Sequence, residues 1–315
     1  MHFAVIGSGS VGCLYGATLA HYSGADVQVT MIDIDQAHVD AMQANGLRFE
    51  QENDEFVANV TATTDPSNVV PVDVALICVN GYSTREAAQS AKTILKDDGY
   101  AITLQNGLGN VEVLVDALGK ERVLGGITYH SAVVVGPGHA RHGIVGKTPI
   151  GELDGITSPR VTVLAGRMAK AGLSPVIDDN IMSVIWGKFV HNCSLNAICG
   201  ITQLRPGHIS EVPELDEFQD MIIEETMALV RAKGITLPEP DPRPAIKAFC
   251  AIRFHLVSLT QHLMAGKPTE IDSLNGYVVE ESKKLGLAAP YNDALTRLIK
   301  GRQHIPANEL GPASA

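Results

Sequence analysis

A chain of 315 residues, 45% hydrophobic and 19% charged, has the make-up of a globular protein and is long enough for two domains of ordinary size. Its formal net charge of −11 excludes the basic surface that binding nucleic acid through phosphates requires, and no apolar run approaches the ~20 residues of a membrane helix. The N-terminus lacks a cationic stretch followed by an apolar one, and the five cysteines include no C-x-x-C pair, so a cytoplasmic protein with reduced thiols and no metal site is expected.

The first strand is predicted at Phe3–Ile6. It runs directly into Gly7-Ser8-Gly9-Ser10-Val11-Gly12, a G-x-G-x-x-G that opens a helix-forming segment, Cys13 to His21. In a strand-to-helix turn of this kind the first glycine makes the tight turn. The second lets the backbone approach a pyrophosphate, and the third lets helix pack on strand. The helix N-terminus adds unpaired N–H groups and a partial positive charge. Taken alone the motif is weak, because glycine-rich turns also occur without a ligand; its context gives it weight. A second strand, Val27–Ile32, ends at Asp33, about 20 residues past the last glycine, where the dinucleotide fingerprint expects an acid. A carboxylate there accepts both ribose hydroxyls of NAD and repels the 2′-phosphate of NADP, and Ile34 rather than an arginine follows it. The structural alternative is that Asp33 caps the next helix, Gln36–Asn45.

Further β-rich runs follow at Val74–Val79, Tyr100–Leu104 and Val123–Thr128, with helical patterns at Ser83–Leu95 and Val111–Leu118 between them. Such alternation implies a parallel sheet covered by helices. Ser131–Val135, a turn at Gly136-Pro-Gly138, His139–Val145 and Pro149–Glu152 look like added β-hairpin strands. An α–β pair, Arg160–Ala171 and Ser174–Asp178, closes this half. From about Asn180 the texture is helical, punctuated at Arg205-Pro-Gly207, the proline-rich Leu237–Pro244 and Ala288-Ala-Pro290; the tail Gln303–Ala315 reads as frayed. The expected architecture is α/β. A Rossmann-type dinucleotide-binding domain, residues 1–178, has a parallel sheet with added antiparallel strands. An all-helical substrate and catalytic domain, residues 179–315, follows, and a ligand cleft is expected where two such domains meet.

One predicted helix of the second half carries Lys188, Asn192 and Asn196 at i, i+4 and i+8, which line one face. Asparagine is a poor helix former, so two on one stripe favour a face that binds a polar ligand over a merely solvated one. Gln105-Asn106-Gly107 follows the fourth strand of the parallel sheet, at the carboxyl ends where ligands sit in such sheets. Late in the chain comes Thr269-Glu270-Ile271-Asp272-Ser-Leu-Asn275-Gly276, in which Thr269 and Asp272 alone could form a capping box. The apolar stretch Met221–Val230 serves either a homodimer or a buried core.

Taken together and in order, these motifs resemble the ketopantoate reductase (2-dehydropantoate 2-reductase) family. The resemblance covers nearly the whole chain, and its most specific parts are the helix K-x-x-x-N-x-x-x-N and the late T-E-I-D-x-x-N-G. It implies reduction of a 2-keto acid by a nicotinamide cofactor. Carried over by position, Lys188 matches the catalytic lysine, while Asn192, Asn196 and Ser258 match substrate-binding residues. Asn106 matches an asparagine touching both cofactor and substrate, and Glu270 the glutamate beside the nicotinamide ribose and the lysine. Ala132 stands where backbone meets the cofactor. The loop residues Gly7, Ser8, Gly9, Ser10, Val11 and Gly12, with Asp33 and Asn80, complete the expected cofactor set.

The chain also departs from the family pattern. Asp33-Ile34 replaces a basic residue usual after the second strand, so NAD is expected and NADP is less favoured. Val79-Asn80-Gly81 stands where a lysine is common, and Pro206 where some members have a further substrate-binding asparagine. The expected reaction is hydride transfer between NAD(H) and a pantoate-type 2-keto or 2-hydroxy acid, with Lys188 as general acid or base. The alternatives are an NAD-dependent dehydrogenase oxidising a different hydroxy acid or alcohol in a catabolic pathway, and a non-catalytic NAD(H)-binding sensor. A methyltransferase shares the glycine loop and the acid after the second strand, but would leave the lysine helix and T-E-I-D without a role.

Overall fold

The computed structural model describes residues 1–52 and 54–305; most of the tail predicted to fray therefore lies outside the described residues. The chain divides into two compact units, Met1–Gln105 with Asn110–Met182, and Asn106–Gly109 with the chain from Ser183 onward.

In the first unit β1 (His2–Ile6), α1 (Ser10–Tyr22), β2 (Gln28–Ile32) and α2 (Gln36–Asn45) follow the predicted order. Next come β3 (Leu47–Glu50), β4 (Glu55–Ala58) and β5 (Thr61–Thr63), then β6 (Val72–Ile77), α3 (Thr84–Ile94), β7 (Leu95–Thr103), α4 (Asn110–Leu118) and β8 (Val123–Gly126). The unit closes with β9 (Ala132–Gly136), β10 (His139–His142), β11 (Thr148–Glu152), α5 (Pro159–Lys170) and β12 (Pro175–Ile177). The main sheet has the order β12-β11-β8-β7-β6-β1-β2-β5. It is parallel from β5 to β8; β11 joins antiparallel to β8, and β12 parallel to β11. β1 is buried on both faces, with Phe3, Ala4 and Val5 fully covered, as its unbroken apolar run requires. The strand order reverses between β2 and β6 on either side of β1, and open α/β sheets bind ligands at the carboxyl ends of such a switch point.

Three differences from the sequence reading have physical causes. The β9–β10 hairpin forms as expected, but it belongs to a second sheet of order β4-β3-β10-β9 rather than extending the first. The partners it finds, Leu-Arg-Phe-Glu and Glu-Phe-Val-Ala, bury alternate residues only, and four-residue alternation is a faint signal. β11 is not a hairpin partner of β10; it returns to the main sheet beside β8. β7 begins at Leu95, directly after α3, and not at Tyr100. Val72 pairs with Leu95 and Val74 with Tyr100, so a bulge takes up the excess, at a glycine whose Cβ would lie 2.9 Å from the Val72 carbonyl oxygen.

The second unit is helical. Its residues come from α6 (Ile181–Thr202), α7 (Pro206–Glu211), α8 (Pro213–Ala232), α9 (Arg243–Ala251), α10 (Ser258–Met264), α11 (Asn275–Lys284) and α12 (Pro290–Gln303). Two prolines expected as breaks, Pro206 and Pro290, act as helix starts, and so does Pro213; at the first helical position the missing N–H costs nothing. Among the described residues no helix is long and apolar enough to cross a membrane.

A buried polar staple ties four of these helices together. The fully buried Asn275 amide donates to the Cys193 carbonyl of α6 at 3.0 Å and to Asn292 Oδ1 of α12 at 2.9 Å. Glu225 of α8 in turn accepts from the Asn292 backbone and side chain at 2.9 and 2.7 Å. The asparagine of the T-E-I-D-x-x-N-G motif is thus a fastener of α11 to the lysine helix. Asn275→Ala leaves Asn292 Oδ1 buried without that donor and is expected to cost about 1–3 kcal/mol, read as a lowered Tm.

Candidate functional site

The glycine loop is built as its sequence demands. Gly7 sits at φ +94°, and a Cβ there would lie 2.7 Å from Val79 Cγ1 and 2.8 Å from the Val79 nitrogen. A Cβ on Gly12 would collide with the Gly7 carbonyl oxygen. The exposed Gly9 has nothing within 4 Å of its Cβ position, so the loop is open on that side. Gly9 is also the N-cap of α1 and offers no side-chain cap, which leaves first-turn N–H groups of this 13-residue helix, from Ser10 and Val11 on, to a ligand.

Asp33 Oδ2 accepts the Ser8 N–H at 2.5 Å and Oδ1 accepts the Asp35 N–H at 3.0 Å. The cap of α2 is Asp35, which accepts the His38 N–H at 3.2 Å, so the capping alternative for Asp33 falls away. The next side chain, Ile34, is 96% exposed. Ser8 Oγ is buried without a hydrogen-bond partner among the described residues. An open glycine, an uncapped helix start, an orphaned hydroxyl and a fixed carboxylate fit the pyrophosphate and ribose of a dinucleotide. Asn80, half-buried past the end of β6, donates to the Tyr82 hydroxyl at 2.8 Å, and Ala132 opens β9 opposite His142.

The polar cluster of the second unit centres on Lys188, half-buried on α6 with Asn192, while Asn196 is 5% exposed. Burial pulls the Lys188 ammonium down to a pKa of about 8, against the opposing pull of the Glu270 carboxylate. Glu270 is buried and accepts from Asn106 Nδ2 at 3.3 Å. These two residues lie far apart in the chain and meet because the 106–109 segment docks on the short 3-10 turn Ile271–Ser273. The Leu108 N–H donates to the Ser273 carbonyl at 3.0 Å, and Gly107, at φ +81°, would place a Cβ 2.5 Å from that oxygen. Gly107 is therefore required by close approach.

The T-E-I-D stretch is not a capping box. Thr269 Oγ1 accepts the Ile271 N–H at 3.4 Å, and Asp272 pairs with Lys300 at 2.5 Å. Trp186, Phe189 and Tyr277 form a T-shaped ring cluster that backs the lysine helix, with centroids 5.5 to 6.2 Å apart. Ser258 is the exposed first residue of α10. One neighbour of Lys188 escaped the sequence reading. His191, one turn along, stands edge to face with Phe249 at 4.4 Å, and burial and the Lys188 charge push its pKa down to about 4. It stays neutral where Lys188 titrates; its spacing from Lys188 was the only available signal. Among the described residues no group of three or more His, Cys, Asp or Glu side chains is placed to hold a metal ion.

Comparison with known proteins bears on what this arrangement does. Residues 3–155 match the family model described as Ketopantoate reductase PanE/ApbA, and residues 180–303 its C-terminal counterpart. A 2-dehydropantoate 2-reductase of Halobacterium salinarum is 30% identical over 301 residues, covering 95% of this chain and 98% of that protein. The crystal structure of a PanE/ApbA family ketopantoate reductase from Ralstonia eutropha JMP134 matches with a TM-score of 0.88 at 33% identity, covering 96% of this chain and 99% of that one. A ternary structure of D-mandelate dehydrogenase with NADH and anilino(oxo)acetate matches with a TM-score of 0.88 at 26% identity, over 96% and 99% of the two chains.

Proposed function

The chain belongs to the ketopantoate reductase PanE/ApbA family, and from that premise we propose that it transfers a hydride between NAD(H) and a pantoate-type 2-keto or 2-hydroxy acid. The observation that carries this reading is Lys188, lowered to a pKa of about 8 and set beside Glu270, which Asn106 holds in turn. A lysine at that pKa exchanges its proton near neutrality, as an acid–base group for carbonyl reduction must.

In this reading the first unit binds the dinucleotide, with pyrophosphate on Gly7–Gly12 and the adenosine ribose on Asp33. The second unit supplies the substrate and acid–base residues. The nicotinamide, when bound, supplies the hydride. For reduction Lys188 Nζ donates a proton to the carbonyl oxygen, and for oxidation the neutral amine accepts the hydroxyl proton. Glu270 orients the ammonium and favours its protonated form, while Asn192, Asn196 and Ser258 bind substrate carboxylate or hydroxyl oxygens. A sensor without chemistry would need no lysine tuned in this way.

A second reading keeps the site and changes the substrate: NAD-dependent oxidation of a different 2-hydroxy acid. Two observations favour keeping it. Pro206 starts α7 where an asparagine of some family members would contact substrate, and a D-mandelate dehydrogenase is among the structures this chain resembles. Steady-state turnover with ketopantoate, comparing NADH and NADPH, tests both. Fast NADH-dependent reduction is expected under the first reading. Tight NADH binding without turnover supports the second and moves the assay to a panel of 2-hydroxy acids with NAD. The apolar stretch Met221–Val230 lends a homodimer no support, because Ile222, Ile223, Met227, Leu229 and Val230 are buried within the chain itself; gel filtration reads the oligomeric state.

A further inference from the structure

The glycine loop is held from inside by a hydrogen-bond chain. The Gly138 N–H, in the turn between β9 and β10, donates to His38 Nδ1 at 3.0 Å. A backbone N–H only donates, so Nδ1 is the bare nitrogen of the neutral ring and the proton sits on Nε2. His38 Nε2 lies 3.4 Å from Cys13 Sγ, and Cys13 Sγ lies 3.0 Å from the Ser8 carbonyl oxygen. A carbonyl only accepts, so the thiol proton points to Ser8 and the sulfur accepts from the imidazole. Each link has one direction, and all agree. Burial pushes the Cys13 thiol up to about 12, which keeps its proton in place.

The chain ends on a peptide plane with a function. The Ser8 C=O and the Gly9 N–H lie on opposite edges of one trans peptide. With the carbonyl drawn in toward Cys13, the Gly9 N–H turns outward, on the open side of the loop. Asp33 holds the preceding N–H, that of Ser8. Neither Cys13, fully buried, nor His38, 5% exposed, is available to touch a ligand.

We infer that Cys13 and His38 are positioning residues for the dinucleotide: they fix the Ser8–Gly9 peptide so that the Gly9 N–H meets the pyrophosphate, and through Gly138 they tie that loop to the β9–β10 turn. This rests on the reading of the loop as a dinucleotide site. Cys13→Ala removes the donor to Ser8, Cys13→Ser keeps one, and His38→Phe cuts the chain while filling the ring's space.

The experiment titrates NADH into wild type and the three variants by calorimetry, with Tm and the Gly9 amide NMR signal recorded for the unliganded proteins. Cys13→Ala is expected to weaken NADH binding roughly five- to tenfold and to move the Gly9 signal; His38→Phe weakens it about threefold, and Cys13→Ser stays within about twofold of wild type. KM for NADH follows, while kcat at saturating NADH holds. If Cys13→Ala lowers Tm yet binds NADH like wild type, the role is structural and the inference is wrong. Should Cys13→Ala not fold, His38→Phe carries the test, and wild-type affinity there overturns the inference equally. Wild-type protein that binds neither NADH nor NADPH overturns the dinucleotide reading itself, a result distinct from tight binding that the variants leave untouched.

Discussion

Lys188→Ala is expected to lower kcat by about 10²–10⁴-fold, the usual contribution of a positioned acid or base, with NADH affinity close to wild type. The split follows from where the groups lie. The loop Gly7–Gly12 and Asp33 belong to the first compact unit, and Lys188 to the second. The pH profile adds a signature that a merely structural lysine would not give. With a pKa of about 8 in the free protein, Lys188 is protonated below that value and neutral above it. The kcat/KM for reduction, which needs the proton, falls as pH rises through about 8, and that for oxidation, which needs the free amine, rises over the same range. The assignment fails if the alanine variant keeps full turnover, or if both limbs persist in it unchanged. Glu270→Gln is informative in the same assay. Glu270 raises the lysine pKa against burial, so its loss moves both limbs to lower pH.

Much of this site was legible in the sequence because it is written locally. The glycines of the loop and the acid after β2 lie within one β-α-β unit, and the K-x-x-x-N-x-x-x-N pattern lies within a single helix, where spacing alone fixes which residues share a face. α2 was read to its limits for the same reason: Asp35 caps its start, and Gly46, at φ +75°, ends it. What stayed hidden is non-local. Asn106 and Glu270, 164 residues apart, enter the sequence reading only through the family resemblance, and the hydrogen bond between them exists because a Gly-containing loop docks on a 3-10 turn. Cys13, His38 and Gly138 each look ordinary in the sequence, and their directed chain exists only once α1, α2 and the β9–β10 turn have packed. The second sheet was missed because β3 and β4 are four residues long and half-exposed, and their pairing with β10 is long-range. Local chemistry announces what a site does; the contacts that tune it come from tertiary packing.

Cofactor choice is where the geometry sharpens a sequence argument into a particular experiment. Wild-type protein is expected to prefer NADH over NADPH by at least about 100-fold, because a like-charge contact costs several kcal/mol. Asp33 cannot easily swing away from a 2′-phosphate. Its two oxygens are held by the Ser8 and Asp35 N–H groups at 2.5 and 3.0 Å, and each keeps a lone pair for a ribose hydroxyl. Ile34, 96% exposed, stands where a cation would be needed and offers none. Simple truncation of Asp33 would be a poor test, since it also releases the Ser8 N–H and loosens the loop for either cofactor. Asp33→Asn with Ile34→Arg keeps an acceptor for that N–H, removes the repelling charge and adds a phosphate-binding guanidinium. The double variant is expected to gain NADPH and lose part of its NADH affinity, reversing the ratio of kcat/KM values. If wild type already uses NADPH better, Asp33 does not select the cofactor. If the variant loses both cofactors alike, the carboxylate serves the loop and not the ribose.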